Sequence, residues 1–130
     1  MTDVLLDTSV LIDLERIDLG EYAGAEARVS AISIAELAFG LEATDPVERL
    51  ARRQRYEAIL QAFDIIPFGL DAATIYGTLA AMVRDAGRNP RPRRMDLQIA
   101  ATAVTQRVPL LTRNPGDFAS LERLLTVVAV

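Results

Sequence analysis

The sequence contains no cysteine, no histidine and no lysine, and these absences exclude most enzyme chemistries. Without cysteine there is no disulfide, thiolate nucleophile or zinc–sulfur site. Without histidine, Ser-His-Asp catalysis and imidazole metal ligation are excluded. Without lysine there is no Schiff base and no P-loop lysine, and all 14 basic residues are arginines. If a chain of this composition is an enzyme, the strongest catalytic group available to it is a hard cation, such as Mg²⁺ or Mn²⁺, held by oxygen ligands.

Long apolar runs are also missing, although 51% of the residues are hydrophobic. No run approaches the roughly 18 residues that a membrane-spanning helix needs. The N-terminus has no basic region followed by an apolar stretch, which would mark a secretory signal. We therefore expect a cytoplasmic protein without membrane association. The length of 130 residues predicts a single domain, 1–130, large enough to bury a core without disulfides.

Short apolar segments alternate with helical patterns along the whole chain. The segments that read as strands are 4–6, 28–32, 65–67, 110–112 and 125–130. The intervening helices include one from 95 to 106 that is rich in small residues, which would let it lie close to a sheet. This alternation predicts an α/β fold, a three-layer α/β/α domain with a central, mainly parallel five-stranded sheet.

Several helix starts carry capping signals. A hydroxyl of Thr8 or Ser9 is available as an N-cap for the first helix. Ser33 to Glu36 fits a capping box, in which a serine and a glutamate three residues apart satisfy each other's backbone amides. Asp45-Pro46 predicts a helix with proline at its first position. Asp71 is predicted to cap the helix that follows it, and a short helix is expected from 117 to 121.

Acidic residues fall where the predicted strands end. Asp7 follows the first strand directly, Glu36 follows the second, and Asp117 follows the fourth, while Asp96 begins the helix leading into the fourth. Ligands of open α/β sheets bind beyond the carboxyl ends of the strands, so at least three of these acids can meet at one edge. Each acid alone also has an ordinary interpretation, because helix dipoles favour acids in first turns. Their clustering would require a cation, because like charges repel.

Four segments together resemble a PIN domain, specifically the VapC-type toxin ribonucleases of type II toxin–antitoxin systems. They are Val4-Leu5-Leu6-Asp7-Thr8-Ser9-Val10-Leu11-Ile12-Asp13, Ser33-Ile34-Ala35-Glu36-Leu37, Arg94-Met95-Asp96-Leu97-Gln98-Ile99-Ala100-Ala101-Thr102-Ala103, and Leu111-Thr112-Arg113-Asn114 with Asp117-Phe118. The resemblance covers the chain in order. It implies a Mg²⁺- or Mn²⁺-dependent endoribonuclease that hydrolyses RNA phosphodiester bonds.

Site residues and partners also follow from this resemblance. It implies that Asp7, Glu36, Asp96 and Asp117 are catalytic and hold the metal, with Asn114 as an alternate to Asp117. Thr8 or Ser9 would orient a ligand or a water. The resemblance further implies a cognate antitoxin protein and a homodimer, or a larger hetero-oligomer with the antitoxin. The apolar residues that could face these partners, or form ordinary core, are Leu37, Phe39, Leu41, Tyr56 and Phe63.

The densest basic stretch, 88–94, immediately precedes Asp96, and Arg93 and Arg94 are the residues we expect to bind RNA phosphates. A solvated loop is the alternative for this stretch. Asp13 and Asp71 are interpreted as structural. Three other functions were weighed. A phosphotransfer domain would also place an Asp after its first strand, but would need a lysine. A housekeeping RNA-processing nuclease and a non-catalytic binding module remain open.

Overall fold

The computed structural model describes residues 3–130, which form five strands and five α-helices. The strands are β1 (Val4–Leu6), β2 (Ala27–Ser30), β3 (Asp64–Ile66), β4 (Leu110–Thr112) and β5 (Val127–Ala129). The helices are α1 (Thr8–Ile12), α2 (Ala31–Gly40), α3 (Pro46–Ala62), α4 (Leu70–Asp85) and α5 (Arg94–Gln106). Single 3₁₀ turns occupy Leu14–Arg16, Gly20–Tyr22, Arg91–Arg93 and Pro115–Phe118. The predicted domain, 1–130, includes residues 1 and 2, which lie outside the described residues.

The strands form one sheet in the order β3-β2-β1-β4-β5, and every neighbouring pair is parallel. Side chains of a strand alternate between its two faces, and β1 shows this clearly. Leu5 packs into a core with α4 and α5, whereas Val4 and Leu6 pack into a second core with α1 and part of α3. The predicted three-layer α/β/α architecture is therefore confirmed.

Helix α5 packs most extensively against α4, and four consecutive small residues in its middle are buried on all sides. Ala100, Ala101, Thr102 and Ala103 are all completely buried. The Thr102 hydroxyl donates to the Gln98 carbonyl, 3.0 Å away, so its burial leaves no unpaired donor. The first turn of α5 carries Asp96 and directly follows the 3₁₀ turn that carries Arg93.

The capping box predicted from Ser33 to Glu36 is wrong. Helix α2 begins three residues earlier than that pattern requires, and its N-cap is Ser30, whose hydroxyl accepts the Ile32 amide at 3.0 Å. Ser30 ends β2 in an extended conformation, so one residue closes the strand and opens the helix. Glu36 consequently lies in the second turn of α2, where its carboxylate has no capping role.

The other helix starts give a mixed result. Asp45 caps α3 as predicted, because its carboxylate accepts the Glu48 amide at 2.8 Å and Pro46 follows it. Asp71 is no cap, since α4 begins at Leu70 after Gly69 and Asp71 lies within its first turn. No hydroxyl caps α1 either. Its N-cap is Asp7, without a side-chain hydrogen bond to the backbone.

Strand and turn boundaries also differ from the sequence prediction at four places, the first of which is β3, at Asp64–Ile66 rather than 65–67. Strand β2 ends at Ser30 rather than at residue 32, and β5 covers only Val127–Ala129 of the predicted 125–130. The short helix expected from 117 to 121 is a 3₁₀ turn at Pro115–Phe118, because proline sets its first turn. Within residues 3–130, no helix is both long and apolar enough to cross a membrane.

Candidate active site

Asp7 is the most deeply buried acid at the carboxyl edge of the sheet, with 4% of its surface exposed. The pairing of Leu6 with Leu111 brings β1 and β4 together, so Asp7 lies beside Thr112. Thr112 Oγ1 donates to Asp7 Oδ2 at 2.9 Å, and Ser9 Oγ donates to the same oxygen at 2.8 Å. Two neutral donors thus compensate one oxygen of a buried carboxylate, as burial of a charged group requires.

Glu36 approaches the same edge from α2 and is half-buried. Thr8 Oγ1 donates to Glu36 Oε1 at 2.8 Å, and it also lies 2.8 Å from Ser33 Oγ. Burial raises the pKa of Glu36, the Thr8 hydrogen bond opposes that rise, and the charge of Asp7 adds to it. The influence of Asp7 shows that these two carboxylates share one electrostatic environment.

Asp96 and Asp117 form the more exposed side of the site and share a contact with Arg93. Arg93 Nη1 donates to Asp117 Oδ1 and lies 3.9 Å from Asp96 Oδ2. The pKa of Asp96 is raised to about 6, chiefly by burial and then by the charges of Asp7, Asp117 and Glu36, while Arg93 lowers it. All four predicted acids therefore meet at one edge of the sheet.

The donor set fits a hard divalent cation, because every candidate ligand is a carboxylate oxygen; burial, together with the charges of the neighbouring acids, raises the pKa of Asp96. Among residues 3–130, no three acids are close enough together to form a finished ligand cage. Direct ligation by all four is not required for Mg²⁺, which usually retains several waters and binds through one or two carboxylates. The charge and the donor type of the cluster are therefore compatible with a cation, and Asp7 is its most deeply buried acid.

Other predicted site residues occupy clear positions. Ser9 contacts Asp7 and Thr8 contacts Glu36, as their suggested orienting role requires. Asn114 is exposed, and its backbone amide donates to Thr112 Oγ1 at 3.0 Å. Arg94 is exposed and has no salt bridge in the part of the chain that the structure describes.

Asp13, interpreted as structural, accepts a hydrogen bond from Arg113 Nη1 at 2.7 Å. That ion pair joins the end of α1 to the segment that follows β4.

Sequence reasoning missed two hydroxyl residues of the site, Thr112 and Ser33. Both are completely buried, and both supply or receive a hydrogen bond next to a predicted acid. A signal for Thr112 existed, because it is the first polar residue after Leu110-Leu111 at the end of a predicted strand. Using that signal required knowing that β4 lies next to β1, which is a property of strand order and not of local sequence.

The apolar residues considered for partner contacts have divergent environments. Leu37 is 6% exposed and belongs to the core, whereas Phe39 is 81% exposed. Tyr56 and Phe63 are partly buried against the core of β1 and α1. Phe63 also lines a cleft of about 610 Å³ between residues 11–16 and α3. The apolar side chains of this cleft are Leu11, Ile12, Leu14, Ala51, Ala58, Ile59, Ala62 and Phe63.

Comparison with known proteins matches residues 4–124 to the family described as PIN domain. A protein of Rickettsia bellii called Ribonuclease VapC is 30% identical over 130 residues, covering 93% of this chain and 92% of its own length. Ribonuclease VapC4 of Mycobacterium tuberculosis is 37% identical over 122 residues, with 90% and 89% covered. The similarity therefore extends over nearly the whole of both chains.

Solved structures show the same relationship in three dimensions. VapBC-5 from Mycobacterium tuberculosis, a member of the VapBC family of toxin–antitoxin systems, aligns with a TM-score of 0.79 and 28% identity. That alignment covers 100% of this chain and 98% of the other. FitAcB from Neisseria gonorrhoeae aligns with a TM-score of 0.75 and 28% identity, covering 95% of each chain.

Proposed function

This chain belongs to the PIN domain family, and we propose that it is a Mg²⁺- or Mn²⁺-dependent endoribonuclease that acts as the toxin of a toxin–antitoxin pair. The observation that carries the proposal is the meeting of Asp7, Glu36, Asp96 and Asp117 at one edge of the sheet. The relatives named Ribonuclease VapC support the reaction class, and the solved VapBC structures support the toxin role.

The chain's own residues would divide the work of phosphodiester hydrolysis. When bound, a divalent cation activates a water and offsets negative charge on the phosphoryl oxygens. Asp7 and Asp96 are the residues we assign most directly to holding that cation, with Glu36 and Asp117 completing the negative environment. Ser9 and Thr112 donate only to Oδ2 of Asp7, so within residues 3–130 its Oδ1 accepts no hydrogen bond and is available as a ligand.

Removal of divalent metal tests this proposal directly. We expect cleavage of RNA by the purified protein with Mn²⁺ or Mg²⁺, and complete loss of cleavage with EDTA. The loss should be complete because the composition offers no histidine, cysteine or lysine to replace the metal. Cleavage should return when excess Mn²⁺ is added back. Undiminished cleavage in EDTA would contradict metal dependence. Failure to bind metal or cleave RNA under any condition would favour the non-catalytic binding module.

RNA binding is assigned to Arg94 and to the neighbouring Arg93. Arg94 lies exposed at the first position of α5, two residues before Asp96. We expect Arg94→Gln to weaken binding of single-stranded RNA about 3-fold at low salt. It should also reduce the slope of log K against log salt by about 0.7, the value for one phosphate contact on a single strand. Fluorescence anisotropy with Ca²⁺ in place of Mg²⁺ measures this, and an unchanged slope would reject the assignment.

A cognate antitoxin is the partner we propose, because the solved relatives are toxin–antitoxin complexes. The cleft beside α3 and the exposed Phe39 offer apolar surface for such a protein. We propose in addition that the catalytic domain forms a homodimer, or a larger hetero-oligomer with the antitoxin. A housekeeping RNA-processing role uses the same chemistry, and a small antitoxin-like reading frame directly upstream of the gene would favour the toxin.

A further inference from the structure

The four acids are held by two different kinds of donor. The inner pair, Asp7 and Glu36, accepts hydrogen bonds from neutral hydroxyls. The outer pair, Asp96 and Asp117, instead faces Arg93, whose Nη1 contacts Asp117 and lies 3.9 Å from Asp96. Within residues 3–130, Arg93 is the one basic side chain within salt-bridge distance of any of the four acids.

We propose that Arg93 is an internal counter-ion that pairs with the outer pair in the metal-free protein and is displaced when a divalent cation binds. Arg93 and the cation are then competing ligands of the same carboxylates. The inference rests on the proposed function, because it requires these acids to hold the metal. It goes further by giving the chain its own regulator of metal affinity, distinct from any partner protein.

The surroundings of Arg93 make displacement inexpensive. Its side chain is 37% exposed, and those of Asp117 and Asp96 are 39% and 29% exposed. Ion pairs at such positions contribute little to stability because solvent screens them. Within the described part of the chain, the guanidinium makes no hydrogen bond other than the one to Asp117. A long flexible side chain held by one hydrogen bond to Asp117 and one longer ion pair to Asp96, both screened by solvent, can rotate outwards without disturbing the fold.

Electrostatics supplies the driving force. Arg93 already faces Asp96, one of the two acids assigned to hold the cation, across 3.9 Å, so a divalent cation bound there would repel the guanidinium. The inner pair offers no such conflict, because its donors are uncharged. Rotation of Arg93 out of the cluster would also place its guanidinium beside the exposed Arg94, where both can contact phosphate. Metal binding and preparation of the RNA-binding surface are coupled in this scheme.

Calorimetric titration of the metal-free protein with Mn²⁺ tests the competition. We expect Arg93→Gln to bind Mn²⁺ about 3- to 10-fold more tightly than the unmodified protein, the size expected for removal of one partly exposed charged competitor. The matched control is Arg91→Gln, which makes the same change in net charge at an exposed residue with no salt bridge among residues 3–130. Its Mn²⁺ affinity should stay within about 2-fold of the unmodified protein, as expected for loss of a screened surface charge.

Direct observation of the Arg93 guanidinium distinguishes its displacement by the metal from a mere effect of its positive charge on metal affinity. Arginine side-chain NMR should show protected Arg93 N–H signals in the metal-free protein, assigned by their loss in Arg93→Gln. Addition of Mg²⁺ should move them to the rapidly exchanging positions of an exposed arginine. Equal Mn²⁺ affinity of the unmodified protein and Arg93→Gln would overturn the competition while leaving the metal site intact. Unmoved Arg93 signals despite metal binding would overturn the displacement, and no Mn²⁺ binding by either protein would remove the metal site itself.

Discussion

Asp96→Asn is expected to reduce RNA cleavage by about 1000-fold, because several kcal/mol of metal-dependent stabilisation correspond to that factor in rate. The same change is expected to stabilise the metal-free protein. The pKa of Asp96 is raised to about 6 by burial and by three neighbouring acids, so its ionised form is disfavoured in the fold. Asparagine keeps the shape and removes the charge. The free energy of unfolding at pH 7 should therefore rise by about 1–3 kcal/mol.

The pH dependence of this stabilisation has a definite sign. In the folded protein Asp96 titrates near pH 6, above its unfolded value, so the folded state binds the extra proton between about pH 4 and 6. The penalty of the charged form is thus absent below pH 4 and fully present above pH 6. Chemical denaturation in EDTA at several pH values measures it. The stability difference between Asp96→Asn and the unmodified protein should vanish as the pH falls to 4.

Mn²⁺ should reverse the order of stability. A ligand that binds only the folded state adds stability, about 2.7 kcal/mol at a concentration 100 times its dissociation constant. The unmodified protein should gain this amount and Asp96→Asn much less. If Asp96→Asn were less stable than the unmodified protein in EDTA, the charge penalty at Asp96 would be contradicted. If it cleaved RNA normally, the assignment of Asp96 as a metal-holding residue would be contradicted.

Much of the fold is predictable from local sequence, for identifiable reasons. The sequence predicts the strands Val4–Leu6 and Leu110–Thr112 to the residue, because each has three apolar or β-favouring residues between charged residues or, before Leu110, a proline. Helix α3 was located by Asp45-Pro46, an unambiguous start signal. The sequence pattern misplaces the start of α2 because Ser30 and Ser33 both have side chains suited to an N-cap position. Only the length of β2 decides between them, and that length depends on pairing with β1 and with β3, where Ser30 lies opposite Ile66.

The candidate site was predictable to a different extent. The positions of the four acids followed from strand ends and from the family resemblance, and the structure brings them together. Their supporting groups did not follow, since Thr112 lies 105 residues from Asp7 in sequence. Arg93 and Asp117, which are hydrogen-bonded, lie 24 residues apart in sequence. This contact places Arg93, a residue expected to bind RNA, next to the acids. Long-range contacts of this kind depend on strand order, which single-sequence patterns do not encode.

Thr112→Val is expected to weaken the site without touching an acid. Valine preserves the shape of threonine but removes the hydroxyl that donates to Asp7 Oδ2 and accepts from the Asn114 amide. Leaving such groups unpaired should lower the free energy of unfolding by about 1–3 kcal/mol. Groups that orient metal ligands typically contribute about 10- to 100-fold to affinity or activity, so Mn²⁺ binding and RNA cleavage should fall by that factor.

Thr112→Ser separates orientation of the carboxylate from general stability. It keeps the hydroxyl and removes one methyl group, so it should retain Mn²⁺ affinity within about 3-fold while losing about 1 kcal/mol from the buried methyl. Titration with Mn²⁺ at a temperature where each variant is fully folded makes the comparison independent of stability. Equal Mn²⁺ affinity in Thr112→Val and Thr112→Ser would show that the hydroxyl only stabilises the fold. A selective loss in Thr112→Val would show that β4 positions Asp7, and that a residue outside the acidic cluster sets which carboxylate oxygen meets the cation.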